Sequence, residues 1–190
     1  MDNEKLNILK LLIENQETPF SIRKISQLRK VNYKSAYYAL KKLEKEGVVI
    51  LKHSGNTTLC SFNRTFNDSV FSVEYERRRE LFRNKNFLVM YNDLRKVKAP
   101  FIALLFGSYA KGTQNKQSDI DLLVITEDFK PIEAVLSRFP LNIHTTHVRY
   151  KDFIEMLKSR EFTVVSEAIK RNIILIGIEE YYRMVENANR

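Results

Sequence analysis

Phe101-Ile102-Ala103-Leu104-Leu105-Phe106 runs into Gly107-Ser108-Tyr109-Ala110-Lys111-Gly112-Thr113. After a polar loop from Gln114 to Ser118 comes Asp119-Ile120-Asp121-Leu122-Leu123-Val124-Ile125. The unbroken apolar run has the length and composition of a buried strand. Gly-Ser ends it, a short helix comes next, and the second strand opens with two alternate aspartates. Side chains alternate along a strand, so Asp119 and Asp121 share one face, roughly 7 Å apart at their Cα atoms. Ile120 and Leu122 then point into the core. Two carboxylates at a strand start can share a hard divalent cation, Mg²⁺ or Mn²⁺, of the kind that also binds nucleotide phosphates. Gly107 lets a phosphate come close to the backbone, and Ser108 offers a hydroxyl beside the first amides of a helix. Lys111 and Lys116 are placed either to touch phosphate or simply to face solvent.

The next elements should be a helix from Pro131 to Phe139 and a strand over Leu141-Asn142-Ile143-His144-Thr145-Thr146-His147-Val148. Alternation sets Leu141, Ile143 and Thr145 on one face and Asn142, His144 and Thr146 on the other. A helix from about Thr163 to Arg171, a strand Ile173-Ile174-Leu175-Ile176, a turn at Gly177 and a helix from Glu179 to Asn187 close the chain, with Tyr181 and Tyr182 as packing residues.

Gly-Ser, a small residue two positions on, a further Gly and a Ser-Asp-x-Asp strand resemble the signature of the nucleotidyltransferase fold of the DNA polymerase beta superfamily. The resemblance covers about residues 86–190 and is closest to the minimal nucleotidyltransferases. It implies an α/β domain with a mixed sheet. It also implies transfer of a nucleoside monophosphate from a nucleoside triphosphate such as ATP. In that reading Asp119 and Asp121 hold metal, and Gly107, Ser108 and Lys111 hold the nucleotide. An active member carries a third carboxylate on the next strand, where this chain has Asn142 and His144. His144 is therefore either a third catalytic group or a polar edge residue. Glu127, Asp128 and Asp152 lie beyond strand ends. The resemblance also implies a protein acceptor or a ribonuclease toxin partner, as some relatives pair with such toxins.

Upstream, Leu6, Leu9, Leu12 and Ile13 predict an amphipathic helix over 3–15, ended by Glu17-Thr18-Pro19. Ser21 should cap a second helix with Ile22, Ile25 and Leu28 inward. Asn32 should cap a third with Ala36, Leu40 and Leu43 inward, ended by Gly47. Tyr37 is expected to pack. Val48 to His53, Ser54-Gly55-Asn56 and Thr57 to Phe62 read as a hairpin, with His53 a surface residue. This order resembles the winged helix-turn-helix of bacterial and archaeal transcription regulators over residues 1–65. The resemblance implies double-stranded DNA contacts by Lys34, Ser35, Tyr38, Lys41 and Lys42, the outer face of the third helix. Protein contact alone is the other use of such a domain. Residues 66–85 form a connector helix capped by Asp68, suited to a spacer or a homodimer contact. Phe87, Met90, Tyr91 and Leu94 then give a stripe that packs on the C-terminal domain.

The chain has 190 residues, 44% hydrophobic and 29% charged, with a net charge of +9. That excludes wholesale disorder and leaves room for one domain or two small ones. No apolar run approaches the ~20 residues of a membrane span. Met1 to Lys5 does not read as a signal peptide, and the single Cys60 excludes an intramolecular disulfide, so a cytoplasmic protein is expected. Residues 1–65 carry 12 Lys and Arg against 6 Asp and Glu, whereas residues 100–190 carry 12 of each. The basic excess lies in the first half, where an anionic partner is expected. The whole reads as α+β: a winged helix, a connector and a nucleotidyltransferase-fold domain. The leading function is nucleotidyl transfer coupled to DNA binding. The alternatives are a regulator that binds nucleotide with little turnover, and an antitoxin-like protein.

Overall fold

The computed structural model describes residues 2–115, 117–159 and 163–188. The chain divides into two compact units, Met1–Glu74 and Tyr75–Arg190. Among the described residues no helix is long and apolar enough to cross a membrane.

The first unit holds α1 (Asp2–Glu14), β1 (Phe20–Ser21), α2 (Ile22–Arg29), α3 (Tyr33–Lys45), β2 (Val49–Ser54), β3 (Thr57–Phe62) and the start of α4 (Asp68–Leu81). The expected caps of α2 and α3 form. Ser21 Oγ accepts from the Lys24 amide, and Asn32 Oδ1 accepts from the Ser35 amide at 2.7 Å. Each satisfies an amide that the first helical turn leaves without an intrahelical partner. Gly47 takes φ +76° just past α3, and the Val48 amide bonds back to Leu43 O. Ile8, Leu9, Leu12, Ile25, Ala36, Leu40 and Leu43 are buried, and α1 packs on α3. The sheet order is β1-β3-β2, antiparallel throughout. The two-residue β1 carries too short a pattern to be read from sequence. Three expectations fail here. Leu28 is exposed, since α2 is only two turns long and its last turn lies past the core. Tyr37 does not pack inward. It is on the surface, edge-on to Tyr38 at 5.6 Å. Asn67 rather than Asp68 caps α4, because its Oδ1 stands three residues before the Val70 amide and accepts from it at 2.9 Å.

The second unit holds the rest of α4, α5 (Lys85–Leu94), β4 (Ile102–Phe106), α6 (Gly107–Lys111), β5 (Ile120–Ile125), α7 (Lys130–Leu136), β6 (Ile143–Val148), α8 (Tyr150–Lys158), α9 (Val164–Lys170), β7 (Ile173–Ile176) and α10 (Ile178–Ala188). The four strands form a mixed sheet in the order β6-β5-β4-β7, with β5 parallel to β6 and the other pairs antiparallel. Phe87, Met90 and Leu94 of α5 join Ala103, Leu105, Ile120, Leu122, Val124, Ile132 and Leu175 in one core cluster. Three residues of the expected stripe on α5 thus pack against the sheet, while Tyr91 is half-buried beside Phe82, 4.7 Å between ring centres. Helix α8 carries only a weak signal in the sequence. Its nine residues are of mixed polarity and lack a side-chain N-cap bond, and Phe153 is its one fully buried anchor. Tyr181 and Tyr182 are buried, as expected.

Candidate active site

Register builds the site. In the antiparallel pair of β4 and β5, Asp121 lies opposite Phe106, so Gly107 comes directly beside it. In the parallel pair of β5 and β6, Asp121 lies opposite His144. One face at the ends of three strands therefore collects Asp119, Asp121, Asn142 and His144 against the start of α6. The alternation read from sequence holds: Ile120 and Leu122 are buried while the two aspartates keep partial exposure.

Gly107 is fixed by two constraints. Its φ is +66°, where a side chain is strained, and a Cβ there would overlap Asp121 Oδ2. The glycine is the cradle in which one carboxylate sits. Ser108 is half-buried at the start of α6, and its carbonyl accepts from the Thr113 amide.

His144 Nδ1 lies 3.8 Å from Asp119 Oδ2 and 3.9 Å from Asp121 Oδ1. The ring faces both carboxylates at a spacing longer than a hydrogen bond. Asn142 Nδ2 donates to Asp119 Oδ1. The β6 face opposite the two aspartates thus carries one imidazole and one neutral amide donor. Burial raises the Asp121 carboxyl above its ordinary value. The charge of His144 opposes that shift, Asp119 and Glu167 add to it, and Lys111 lowers it.

Lys111 is held by Glu167 of α9, Nζ to Oε1 at 2.7 Å. Glu167 has no signal in the sequence. It lies 56 residues from Lys111 and on a short helix whose approach to α6 depends on tertiary packing. Arg171 Nε donates to Ala110 O at 3.2 Å, a second tie between α6 and the end of α9. Lys116 lies outside the described residues. Glu127 and Asp128 sit past the opposite end of β5, where Glu127 accepts from the Tyr150 amide and Asp128 from the Lys130 amide. Asp152 is in the first turn of α8.

Among the described residues no three His, Cys, Asp or Glu side chains converge as a metal cage. The donor chemistry instead fits a cation that keeps most of its shell as water and phosphate oxygens and takes one or two carboxylates from the protein. Asp119 and Asp121 would supply those.

In the first unit, Lys34, Tyr38, Lys41 and Lys42 are exposed on α3 and Ser35 is half-buried at its first turn. Lys41 pairs with Glu44 at 2.8 Å. With Asn32, Ala39, Glu4 and Lys5, the residues Lys34, Ser35, Tyr38 and Lys42 line a pocket of about 270 Å³.

No curated protein matches the chain. A solved structure described as "Crystal structure of the toxin-antitoxin with AMP-PNP" is similar at 20% identity. The likeness spans 56% of this chain and 84% of that one, with a TM-score of 0.35. Residues 94–182 match the family model described as nucleotidyltransferase domain. That span runs from the end of α5 through β4, β5, β6 and β7, so the stretch similar to that family lies within the second unit and includes the whole carboxylate site.

Proposed function

We propose that the second unit transfers a nucleoside monophosphate from a nucleoside triphosphate to an acceptor. We propose further that the first unit is a winged helix that brings this activity to double-stranded DNA. The observation that carries the first reading is the single face on which Asp119, Asp121 and His144 meet beside Gly107, inside the span that matches the nucleotidyltransferase family. A divalent cation bound there would neutralise phosphate charge and polarise the α-phosphorus. The chain's own residues do the positioning. Asp119 and Asp121 present oxygens from one strand face, and Asn142 fixes the rotamer of Asp119 through its hydrogen bond. The backbone at Gly107 and the Ser108 hydroxyl border the space for the triphosphate. His144 offers nitrogen as a third donor to the same space.

Titration calorimetry with ATP tests this. Binding is expected to be at least tenfold tighter with Mg²⁺ or Mn²⁺ than without, and Asp121→Ala to erase most of the difference. Equal affinity with and without metal rejects the reading.

Asn142 favours a second reading, a regulator whose site binds nucleotide and barely turns over. A neutral amide bound to Asp119 cannot take a proton and brings no charge to a second cation. Since Mg²⁺ prefers oxygen and Mn²⁺ accepts imidazole better, the native protein is expected to work faster with Mn²⁺. His144→Asp or Asn142→Asp should raise activity with Mg²⁺. No gain in either variant, together with no transfer by the wild-type protein, moves the assignment to the regulator.

The winged-helix reading is supported by the order α1, β1, α2, α3, β2, β3, by the sheet order β1-β3-β2, and by the lysines on the outer face of α3.

A further inference from the structure

We propose that Glu167 is the general base of this site, and that Lys111 holds it in reserve until a triphosphate claims the lysine. The proposal rests on the nucleotidyl-transfer reading above and identifies the carboxylate which that reading lacks. The face opposite Asp119 and Asp121 carries only Asn142 and His144. Another carboxylate is tied to the helix that follows Gly107. The N-terminal half of α9 places Glu167 against α6, in an ion pair of 2.7 Å with Lys111. The Arg171 bond to Ala110 O, one helical turn further along, fixes the same face of α9 on α6. The charge of Glu167 also joins that of Asp119 in raising the Asp121 carboxyl.

Both partners of the pair keep a third or more of their side-chain surface, 45% for Lys111 and 37% for Glu167. An exposed pair of this kind is worth little in stability and is easily exchanged. A triphosphate on Gly107 and Ser108, the start of the same five-residue helix, brings several negative oxygens toward Lys111. These outcompete one carboxylate for the ammonium group. Glu167 is then released with its charge and a free lone pair beside the reacting phosphorus. The carboxylate accepts the proton of the acceptor hydroxyl. The acceptor oxygen forms its bond to the α-phosphorus, and the bond between the α-phosphorus and its bridging oxygen breaks. Pyrophosphate leaves with that electron pair. With water as acceptor the products are the monophosphate and pyrophosphate. The arrangement ties base activation to nucleotide occupancy, so an empty site holds its base neutralised.

The experiment uses the full chain, Mn²⁺ and ATP, with calorimetry for binding and pyrophosphate release for turnover. Glu167→Gln is expected to bind ATP three- to tenfold more tightly than wild type, because Lys111 is no longer shared, yet to release pyrophosphate at least tenfold more slowly. Glu167→Asp should recover part of the rate. In a Lys111→Ala background, which weakens ATP binding, Glu167→Gln should leave affinity unchanged. Glu167→Gln with wild-type affinity overturns the reserve pair, and Glu167→Gln with wild-type turnover overturns the base. Wild-type protein that binds ATP and releases no pyrophosphate also rejects Glu167 as base. Wild-type protein that does not bind ATP at all fails earlier, at the nucleotide site itself.

Discussion

At the scale of single residues, the site shows a conflict between stability and use. Asp121 sits in a cradle that only glycine provides, partly removed from water and under the charge of two other carboxylates, Asp119 and Glu167. Each of these effects favours the protonated form, so its folded value lies above the ordinary 3.8. Between the two values the native state binds more protons than the unfolded chain. Stability therefore falls as pH rises through the folded value, and the full cost is present at neutral pH. Asp121→Asn removes that cost. It is expected to raise the melting temperature at pH 7 by about 2–4 °C, roughly 1 kcal/mol for a chain of this size, while abolishing metal-dependent nucleotide binding. The gain should shrink as the pH is lowered toward the unfolded value, which scanning calorimetry across pH 3.5–7 reads directly. A melting temperature that falls in Asp121→Asn at pH 7 would show that the carboxylate is held by favourable bonds rather than by burial.

At the scale of elements, the sequence makes legible what alternation and capping control. The strands of the second unit, the shared face of Asp119 and Asp121, and the capped starts of α2 and α3 depend on spacing over a few residues. Asn142 and His144 are legible as a pair on one face for the same reason. Elements whose partners lie far away in the chain are not legible. Glu167 belongs to a seven-residue helix and meets Lys111 across 56 positions. The amphipathic character of tyrosine points Tyr37 inside, yet α3 already fills its inner face with Ala36, Leu40 and Leu43. Lys5 is the mirror case, a lysine buried on the inward side of α1. Its Nζ reaches Glu46 just past α3 at 2.9 Å and Ser69 of α4 at 3.0 Å, and Ser69 Oγ also donates to Glu46. Burial pushes the Glu46 carboxyl up. The hydrogen bonds from Lys5 and Ser69, and the charges of Lys5 and Lys42, outweigh it and hold the group below its ordinary 4.5. A depressed acid stabilises the fold above its unfolded value, and that contribution disappears as pH falls through the folded value. Lys5→Ala is expected to cost ~1–2 kcal/mol at pH 7, less than for a fully buried pair, because Glu46 stays partly exposed. Urea titrations at pH 7 and pH 3 check this: the difference between wild type and variant should be largest at pH 7. An equal loss at both would assign the effect to packing of the lysine stem.

At the scale of the whole molecule, charge separates the two halves of the sequence. The net +9 arises before residue 100, and the segment that contains the carboxylate site is balanced. The proposed nucleotide site is built on carboxylates and does not need a basic surround, so the excess answers to something else. The exposed lysines of α3 are the natural candidates, with Tyr33 and Tyr38 more than half exposed between them. Phosphate neutralisation releases counterions, so the logarithm of the binding constant for duplex DNA falls with the logarithm of salt concentration by about 0.9 per phosphate contacted. Lys34, Lys41 and Lys42 would contribute up to three such contacts, with Lys41 the weakest because Glu44 already competes for it. The full chain is therefore expected to bind duplex DNA at low salt with a steep salt dependence. Joint replacement of Lys34, Lys41 and Lys42 by alanine should weaken binding to every sequence tested and flatten the salt slope by about 2–3. Tyr38→Ala, by contrast, should change the preference among sequences more than the slope, since an aromatic edge carries no charge to exchange with counterions. Fluorescence anisotropy with labelled duplexes over a salt series measures both quantities. A triple variant with the wild-type slope would remove α3 from the contact surface and assign the basic excess of the first half to another partner.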